Sequence, residues 1–395
     1  MNKNGILQVA MVEPIGGHSG NDFYDFGLCK AVAEQGTNLV FYTCDETNLD
    51  TQFSFPFKTE KPFKKIYGSD PILLRGVRYA IGSFKASNHA AKAGLKVAHF
   101  HIYHFAGREY LNFLFFKRKG FKIVATIHDV ESFDKFGEEV NASKYVKFGK
   151  MMDRIIVHSE YAKQSVQKYF PDFPKEKIHI VPHGDSDFLF NKTIDRREAR
   201  KQLNLPMDQK LVLFFGQIKA VKGLDVLLKA WAIVRDKMKG AKLLVVGRPW
   251  KVEQELFDKI VKEKNLDPDC IFNYSYVPNE VIPAYFAAAD TVVLPYREIY
   301  SSGVMIRSLD YGAAIIASDL DAFRKIIVDG ENGMIFKNGD EKDLAEKILS
   351  LIGDEEKLRR FRLNAKKTAD EKFSWQLIGT KVNEVYKLAL NGSTK

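Results

Sequence analysis

Residues 290–319, DTVVLPYREIYSSGVMIRSLDYGAAIIASD, decide the fold. Thr291 to Leu294 is a short apolar run rich in β-branched residues, which predicts a buried strand. Pro295 ends it, because proline has no N–H to give a sheet ladder. Ser301, Ser302 and Gly303 are small residues that can cap a helix. From Val304 to Tyr311 the spacing puts Met305, Ile306 and Leu309 on one helical face. Gly312 stops that helix, and Ala314 to Ala317 reads as the next strand. A polar loop between a strand end and a helix start is where open α/β sheets hold ligands. The unpaired N–H groups and the positive helix end there suit a phosphate. An ordinary strand-turn-helix-strand unit without a ligand has the same local pattern.

The same alternation runs outward in both directions. Ile6 to Val12 reads as a strand. It leads into Glu13-Pro14-Ile15-Gly16-Gly17-His18-Ser19-Gly20, then a helix from about Asn21 to Gln35, then a strand from Leu39 to Tyr42. Glycines at 16, 17 and 20 do not spell G-x-G-x-x-G, and no acid closes the second strand in a ribose-binding position. The pattern therefore argues against a nicotinamide cofactor. A tight turn explains the same glycines by backbone needs alone. Phe53 to Lys65 reads as irregular. Pro71 to Lys92 reads as a helix, with Leu73, Leu74, Val77, Ile81 and Phe84 spaced for one face. Further strands are expected at Val97–His101, Ile123–Ile127, Arg154–Val157 and Lys177–Val181, and, after a linker near residues 188–209, at Lys210–Gly216, Lys242–Gly247 and Cys270–Tyr274.

The chain has 395 residues, 45% apolar and 28% charged, as expected for a soluble globular protein of two domains. No apolar run approaches the roughly 20 residues that span a bilayer. The apolar part of the N-terminus is too short for a signal peptide. Cys29, Cys44 and Cys270 are odd in number and far apart, which points to a reducing, cytoplasmic location without disulfides. The net charge is +10. Residues 56–122 hold 14 Lys and Arg against three acids, Glu60, Asp70 and Glu109, so the whole excess sits in this region. Phe and Tyr are interleaved with it, a composition suited to an anionic membrane surface. A solvated basic face over buried core phenylalanines fits equally well, and no nucleic-acid motif is present.

His99, His101 and His104 invite a zinc reading, but no Cys or carboxylate is expected close by to complete such a site. Asp185-Ser186-Asp187 and Asp319-Leu320-Asp321 spell D-x-D, a pattern able to hold a divalent metal. Here each follows a glycine turn or strand, and neither is expected to bind metal.

Glu298, Ser302, Gly303, Tyr311, Gly312 and Ala317-Ser318 resemble the donor-sugar motif of retaining glycosyltransferase family 4. So do the paired Gly16 and Gly17, His128 in the ATIHD strand end, Ser159 with Lys163, the Pro182-His183-Gly184-Asp185 turn, the Gly216 to Gly223 loop and the DGENG turn at 329–333. The resemblance covers nearly the whole chain. It implies a GT-B fold, with two doubly wound Rossmann-like domains facing across a cleft. Residues 1–190 would form the acceptor side and 205–375 the nucleotide-sugar donor side, with a last helix in 376–395 packing back on the first domain.

It also implies transfer of a sugar, with retention and without a metal or other cofactor, from a UDP- or GDP-sugar to a glycan, lipid-linked or other hydroxyl. Glu298 would hold the sugar ring and His128 would contact it. Lys222 and Lys219 would grip the diphosphate near Gly216, while Gly16, Gly17, Arg248, Tyr276, Val277, Ser302, Gly303, Val304 and Arg307 would line the donor. The leaving diphosphate would help to accept the acceptor proton. Two residues depart from the family pattern. Arg307 stands where a second glutamate is usual, and Gln217 where an arginine is usual. An epimerase or phosphorylase of the same fold, a non-catalytic sugar-nucleotide binding scaffold and a nicotinamide oxidoreductase are the rival readings.

Overall fold

The computed structural model describes residues 5–18, 22–128, 142–184, 188–189, 194–299 and 302–392. Gly20, Asp129, Asp185, Ser186, Asp187 and Ser301, which figure in the sequence reading, lie outside them. The chain divides into two compact units, Met1–Ser186 with Ser374–Lys395, and Asp187–Phe373.

Unit 1 is built on seven strands: β1 (Gln8–Glu13), β2 (Asn38–Cys44), β3 (Lys58–Phe63), β4 (Val97–Ile102), β5 (Lys122–Ile127), β6 (Arg154–Val157) and β7 (Ile178–Ile180). They form one parallel sheet in the order β3-β2-β1-β4-β5-β6-β7. Parallel strands are covered on both faces and so read as continuous apolar runs; β1 and β4 are buried along their whole length. β3 corrects the expectation of an irregular segment at 53–65. It contains Pro62 and is only partly buried, which is tolerated because it is the sheet edge.

The helix Trp375–Asn391 belongs to unit 1 and packs on the helix Asp22–Ala33. Side chains at Gly27 and Gly184 would collide with the Trp375 ring, with a Cβ at 2.5 Å and 2.4 Å respectively. Deeper along the same helix, the Thr37 hydroxyl donates to Asn383 Oδ1 (2.8 Å), and the Tyr386 hydroxyl meets His99 Nδ1 at 2.7 Å.

Unit 2 has six strands: β8 (Leu211–Phe215), β9 (Lys242–Val246), β10 (Cys270–Asn273), β11 (Thr291–Leu294), β12 (Ala314–Ser318) and β13 (Met334–Phe336). They form a second parallel sheet in the order β10-β9-β8-β11-β12-β13. The strand order reverses direction between β1 and β4 in unit 1 and between β8 and β11 in unit 2. Open α/β sheets bind ligands at the carboxyl ends of the strands at such points.

The helix Ile72–Lys92 corrects a second expectation. Its apolar stripe does not face the core: Ile72 is 80% exposed and Leu73 78%, and Leu74, Val77, Ile81 and Phe84 are also exposed. The opposite face, with Tyr79, Gly82, Ser83 and Ala86, is the buried one.

Candidate functional site

In unit 2 the switch point joins the loop after β8 to the loop after β11. Gly216 leaves β8 with φ +103, a left-handed conformation that glycine adopts without strain. A Cβ there would lie 3.0 Å from Val304 and 3.9 Å from Lys222 Nζ, so three of the residues singled out in the sequence meet at one point. Lys222 Nζ donates to the Tyr296 hydroxyl (2.9 Å) and lies 4.5 Å from the centre of the Tyr296 ring. Tyr296 is fully buried, and its own carbonyl accepts from the Ser318 hydroxyl at 2.6 Å.

Arg297 locks the two loops together. Its backbone N–H donates to Val221 O (2.7 Å), and its guanidinium holds Ala220 O and both Asp225 oxygens, the latter at 2.8 and 2.6 Å. Asp225 is held below the usual carboxylate range by hydrogen bonds and charge from Arg297, against a burial that pushes the other way. Neither Tyr296 nor the Arg297–Asp225 clamp was legible in the sequence, because their partners lie some 70 positions away in the chain.

The helix Gly303–Asp310 starts beside this loop, and Ser302 caps it by accepting from Met305 N (3.2 Å). Arg307, on that helix, has its guanidinium carbon 6.0 Å from the centre of the Phe215 ring. The loop after β9 joins the same end of the sheet: Ile218 N donates to Arg248 O (3.0 Å) and Trp250 N to Ile218 O (2.9 Å), which sets Lys219 next to this pairing. Arg248 and Glu298 are exposed, and Tyr276 is 73% exposed. The Val277 side chain is packed in the core and leaves only its backbone to a ligand. Asp319 is used structurally, accepting from Asn338 N at 2.9 Å.

In unit 1 the carboxyl ends of β4, β5 and β6, with the turn after β7, gather His101, His128, His158 and His183 around Tyr24, and Glu13 at the end of β1 feels the charges of Asp25 and His101. Tyr24 stacks on His183 (ring centres 4.2 Å apart), and His128 stacks on Tyr103 (4.4 Å). His99 is a satisfied core residue, bound by Tyr386 on one nitrogen and Thr126 on the other. His101 does have a carboxylate beside it, contrary to the sequence reading: Asp25 Oδ1 lies 2.7 Å from its Nδ1, from a helix 76 positions earlier. Gly16 and Gly17 have a packing reason, since added Cβ atoms would meet Thr43, Thr47 and Glu46 at 2.3–2.6 Å. The Gly17 N–H is already given to Thr47 Oγ1 (3.0 Å).

Burial sets the protonation of this cluster. It pushes Glu13 up to about 8, aided by Asp25, and raises Asp25 as well. It lowers His101 to about 4, His158 to about 3 and His183 to about 4, and depresses His99 and His128 too. The imidazoles are thus neutral when folded and bind protons near pH 6.5 when unfolded. Stability contributed by them rises from pH 4 to 6.5, where the unfolded chain binds more protons. Glu13 acts oppositely: between pH 4.5 and 8 the folded chain holds the extra proton, so stability falls as pH rises. Above pH 6.5 only the Glu13 slope remains of these two. Thermal melts between pH 7 and 8 are expected to show a falling midpoint in the wild type and a flatter one in Glu13→Gln. An unchanged slope in that variant would refute this assignment.

Residues 26–185 match the family model described as Glycosyltransferase Family 4, and residues 195–368 match Glycosyl transferases group 1. The chain is 30% identical over 245 residues to the D-inositol 3-phosphate glycosyltransferase of Nocardia farcinica, across 60% of this chain and 53% of that protein. It is 27% identical over 241 residues to the lipopolysaccharide 1,2-N-acetylglucosaminetransferase of Salmonella typhimurium, across 59% and 62%. The chain thus spans little more than half the length of the curated relatives it matches.

Among solved structures, sucrose-phosphate synthase from Thermosynechococcus elongatus superposes with a TM-score of 0.72 at 20% identity, covering 98% of this chain and 100% of that one. Anabaena HepE in complex with UDP gives 0.73 at 16%, covering 96% and 100%. Both likenesses concern the fold, which is GT-B. Two family models matched one after the other along two Rossmann-like units place the chain among the family 4, group 1 glycosyltransferases.

Proposed function

We propose that the chain transfers a sugar from a nucleoside diphosphate sugar to a hydroxyl acceptor, with retention of configuration. The observation that carries this reading is the cradle at the unit 2 switch point. Gly216, Lys222 and Val304 meet there, with the start of a capped helix alongside. A diphosphate in that cradle gains a cation and helix N–H groups, and the charge that builds as the glycosidic bond breaks is stabilised by both. Lysines supply this charge, so the donor site works without a metal. Glu298 holds the sugar ring in this reading, and His128 is the sugar-binding imidazole of unit 1. HepE has been solved with UDP and with UDP-glucose, so UDP-sugars are the first donors to try and GDP-sugars the second.

Calorimetric titration of each donor without metal, with a turnover assay, tests the reading. Binding with turnover that falls in Glu298→Ala supports it. Binding without turnover, even with membrane extract as acceptor source, would favour a sugar-nucleotide binding scaffold, the reading that Arg307 in place of a glutamate keeps open.

The acceptor side of the proposal is a peripheral site on an anionic membrane, at the inner face of the cytoplasmic membrane, for a glycan or lipid-linked acceptor. The exposed stripe of the helix Ile72–Lys92 supports it. Large apolar side chains stand in solvent there within the most basic part of the chain, and Lys119 lies 6.0 Å from the Phe84 ring. No helix among the described residues is long and apolar enough to cross a membrane. Vesicles rich in phosphatidylglycerol are expected to sediment the protein and neutral vesicles to leave it in solution. Replacing Leu73, Val77 and Ile81 together by serine should lower the partition more than about tenfold, since each buried side chain contributes about 1.5–3 kcal/mol.

A further inference from the structure

His128, His158 and His183 come from the ends of β5 and β6 and from the turn after β7. Each can present one ring nitrogen, and these three nitrogens all lie within 4.8 Å of one another. Backbone hydrogen bonds orient two of the three rings. His158 Nδ1 donates to Val181 O (3.0 Å), and His183 Nδ1 donates to Gly184 O (2.6 Å). Both rings therefore carry hydrogen on Nδ1 and keep a lone pair on Nε2. His158 Nε2 faces His128 Nδ1 at 3.3 Å. Zinc–imidazole bonds of about 2.0–2.1 Å set ligand nitrogens about 3.3 Å apart in a tetrahedron, so this pair already has the spacing of one edge. An imidazole whose second nitrogen is fixed by a backbone carbonyl is the usual outer-shell arrangement of a zinc ligand.

We propose that His128, His158 and His183 form a three-imidazole site for a borderline divalent cation of the zinc class, with one position open to water. The three ligands are 30 and 25 positions apart along the chain, without the short spacing of a zinc motif, so no metal site is legible in the sequence. The site belongs to unit 1 and is distinct from the diphosphate cradle of unit 2. Because His128 is also the sugar-contacting residue of the proposed function, an ion here would compete with that contact.

The test is to strip the full chain with EDTA and titrate it with Co2+, reading the visible spectrum, then to displace the Co2+ with Zn2+. The expected result is one equivalent with the intense absorption of four-coordinate Co2+, lost on adding one equivalent of Zn2+. Losing an outer-shell partner alone costs about 10–100-fold in affinity, so His158→Gln and His183→Gln should each weaken binding by about 100-fold or more. Only a weak six-coordinate spectrum in the wild type would overturn the proposal, leaving a plain His158–His128 hydrogen bond. Binding that survives in both variants would also overturn it, assigning the ion to surface histidines such as His18, which pairs with Glu46. Neither readout depends on turnover, so the proposed transferase activity can fail without affecting the result.

Discussion

Lys222→Ala is expected to lower kcat/KM for nucleotide-sugar turnover by about 100- to 1,000-fold, the loss typical of removing one preorganised charge from a developing anion. The preorganisation is visible around the lysine. Gly223 turns with φ +64 directly after it, where a Cβ would collide with Pro295 O, so only glycine lets the loop sit this close to the end of β11. Tyr296, anchored by Ser318, fixes the ammonium by hydrogen bond and ring face. Tyr296→Phe keeps the ring and removes the hydroxyl, and a smaller loss of about tenfold is expected from looser positioning. Steady-state kinetics with the free nucleoside diphosphate as a binding probe separates the effects. Affinity for the diphosphate should fall in Lys222→Ala along with turnover. A folded Lys222→Ala protein with turnover within threefold or so of wild type would refute the diphosphate role.

The second large effect is on stability. Asp290→Ala is expected to destabilise unit 2 by about 3–5 kcal/mol, because it removes one member of a buried charge network and leaves the other uncompensated. Asp290 is fully buried. It accepts from Leu211 N (2.7 Å), from Arg200 (3.2 Å) and from Arg196, with Lys210 Nζ at 3.6 Å. Arg200 is itself only 2% exposed, and its remaining N–H groups go to the carbonyls of Ala288, Pro206 and Met207. Without the carboxylate, its charge would be buried against carbonyls alone. At about 2–4 °C per kcal/mol for a domain of this size, the melting midpoint should fall by roughly 10 °C. Asp290→Asn retains an acceptor for Leu211 N and should lose less. A drop under about 2 °C for the alanine variant would show that the network contributes little.

Asp290 also illustrates how far the sequence reaches. Read along the chain, it is the polar residue before a strand, and the strand itself, Thr291–Leu294, has the expected bounds. Its partners come from 79 to 94 positions earlier, and nothing in the local pattern points to them. The edge strand Lys58–Phe63 was missed for a related reason. A charged, Pro-containing segment has no apolar period, and it is a strand only because β2 offers it a ladder. The Gly216 loop was readable because glycine and lysine at short spacing carry their own backbone and charge logic. The Tyr296 and Arg297 contacts that hold it needed the fold.

What the amino-acid sequence determined by itself is the alternation of apolar β-branched runs with helical periods. In chains of this length that alternation leaves parallel sheets with loops gathered at the carboxyl ends of the strands. It also determined which residues share a helical face, as in Leu73, Val77, Ile81 and Phe84. Only the tertiary structure decided what lies against that face, and it is solvent. The same holds for the buried polar groups. Asp25 is brought beside His101 by a helix packed on the sheet, and His128, His158 and His183 meet because the strands they follow are neighbours in that sheet. Periodicity is set by local backbone geometry, but the company a side chain keeps is set by packing, and packing pairs residues without regard to their separation in sequence.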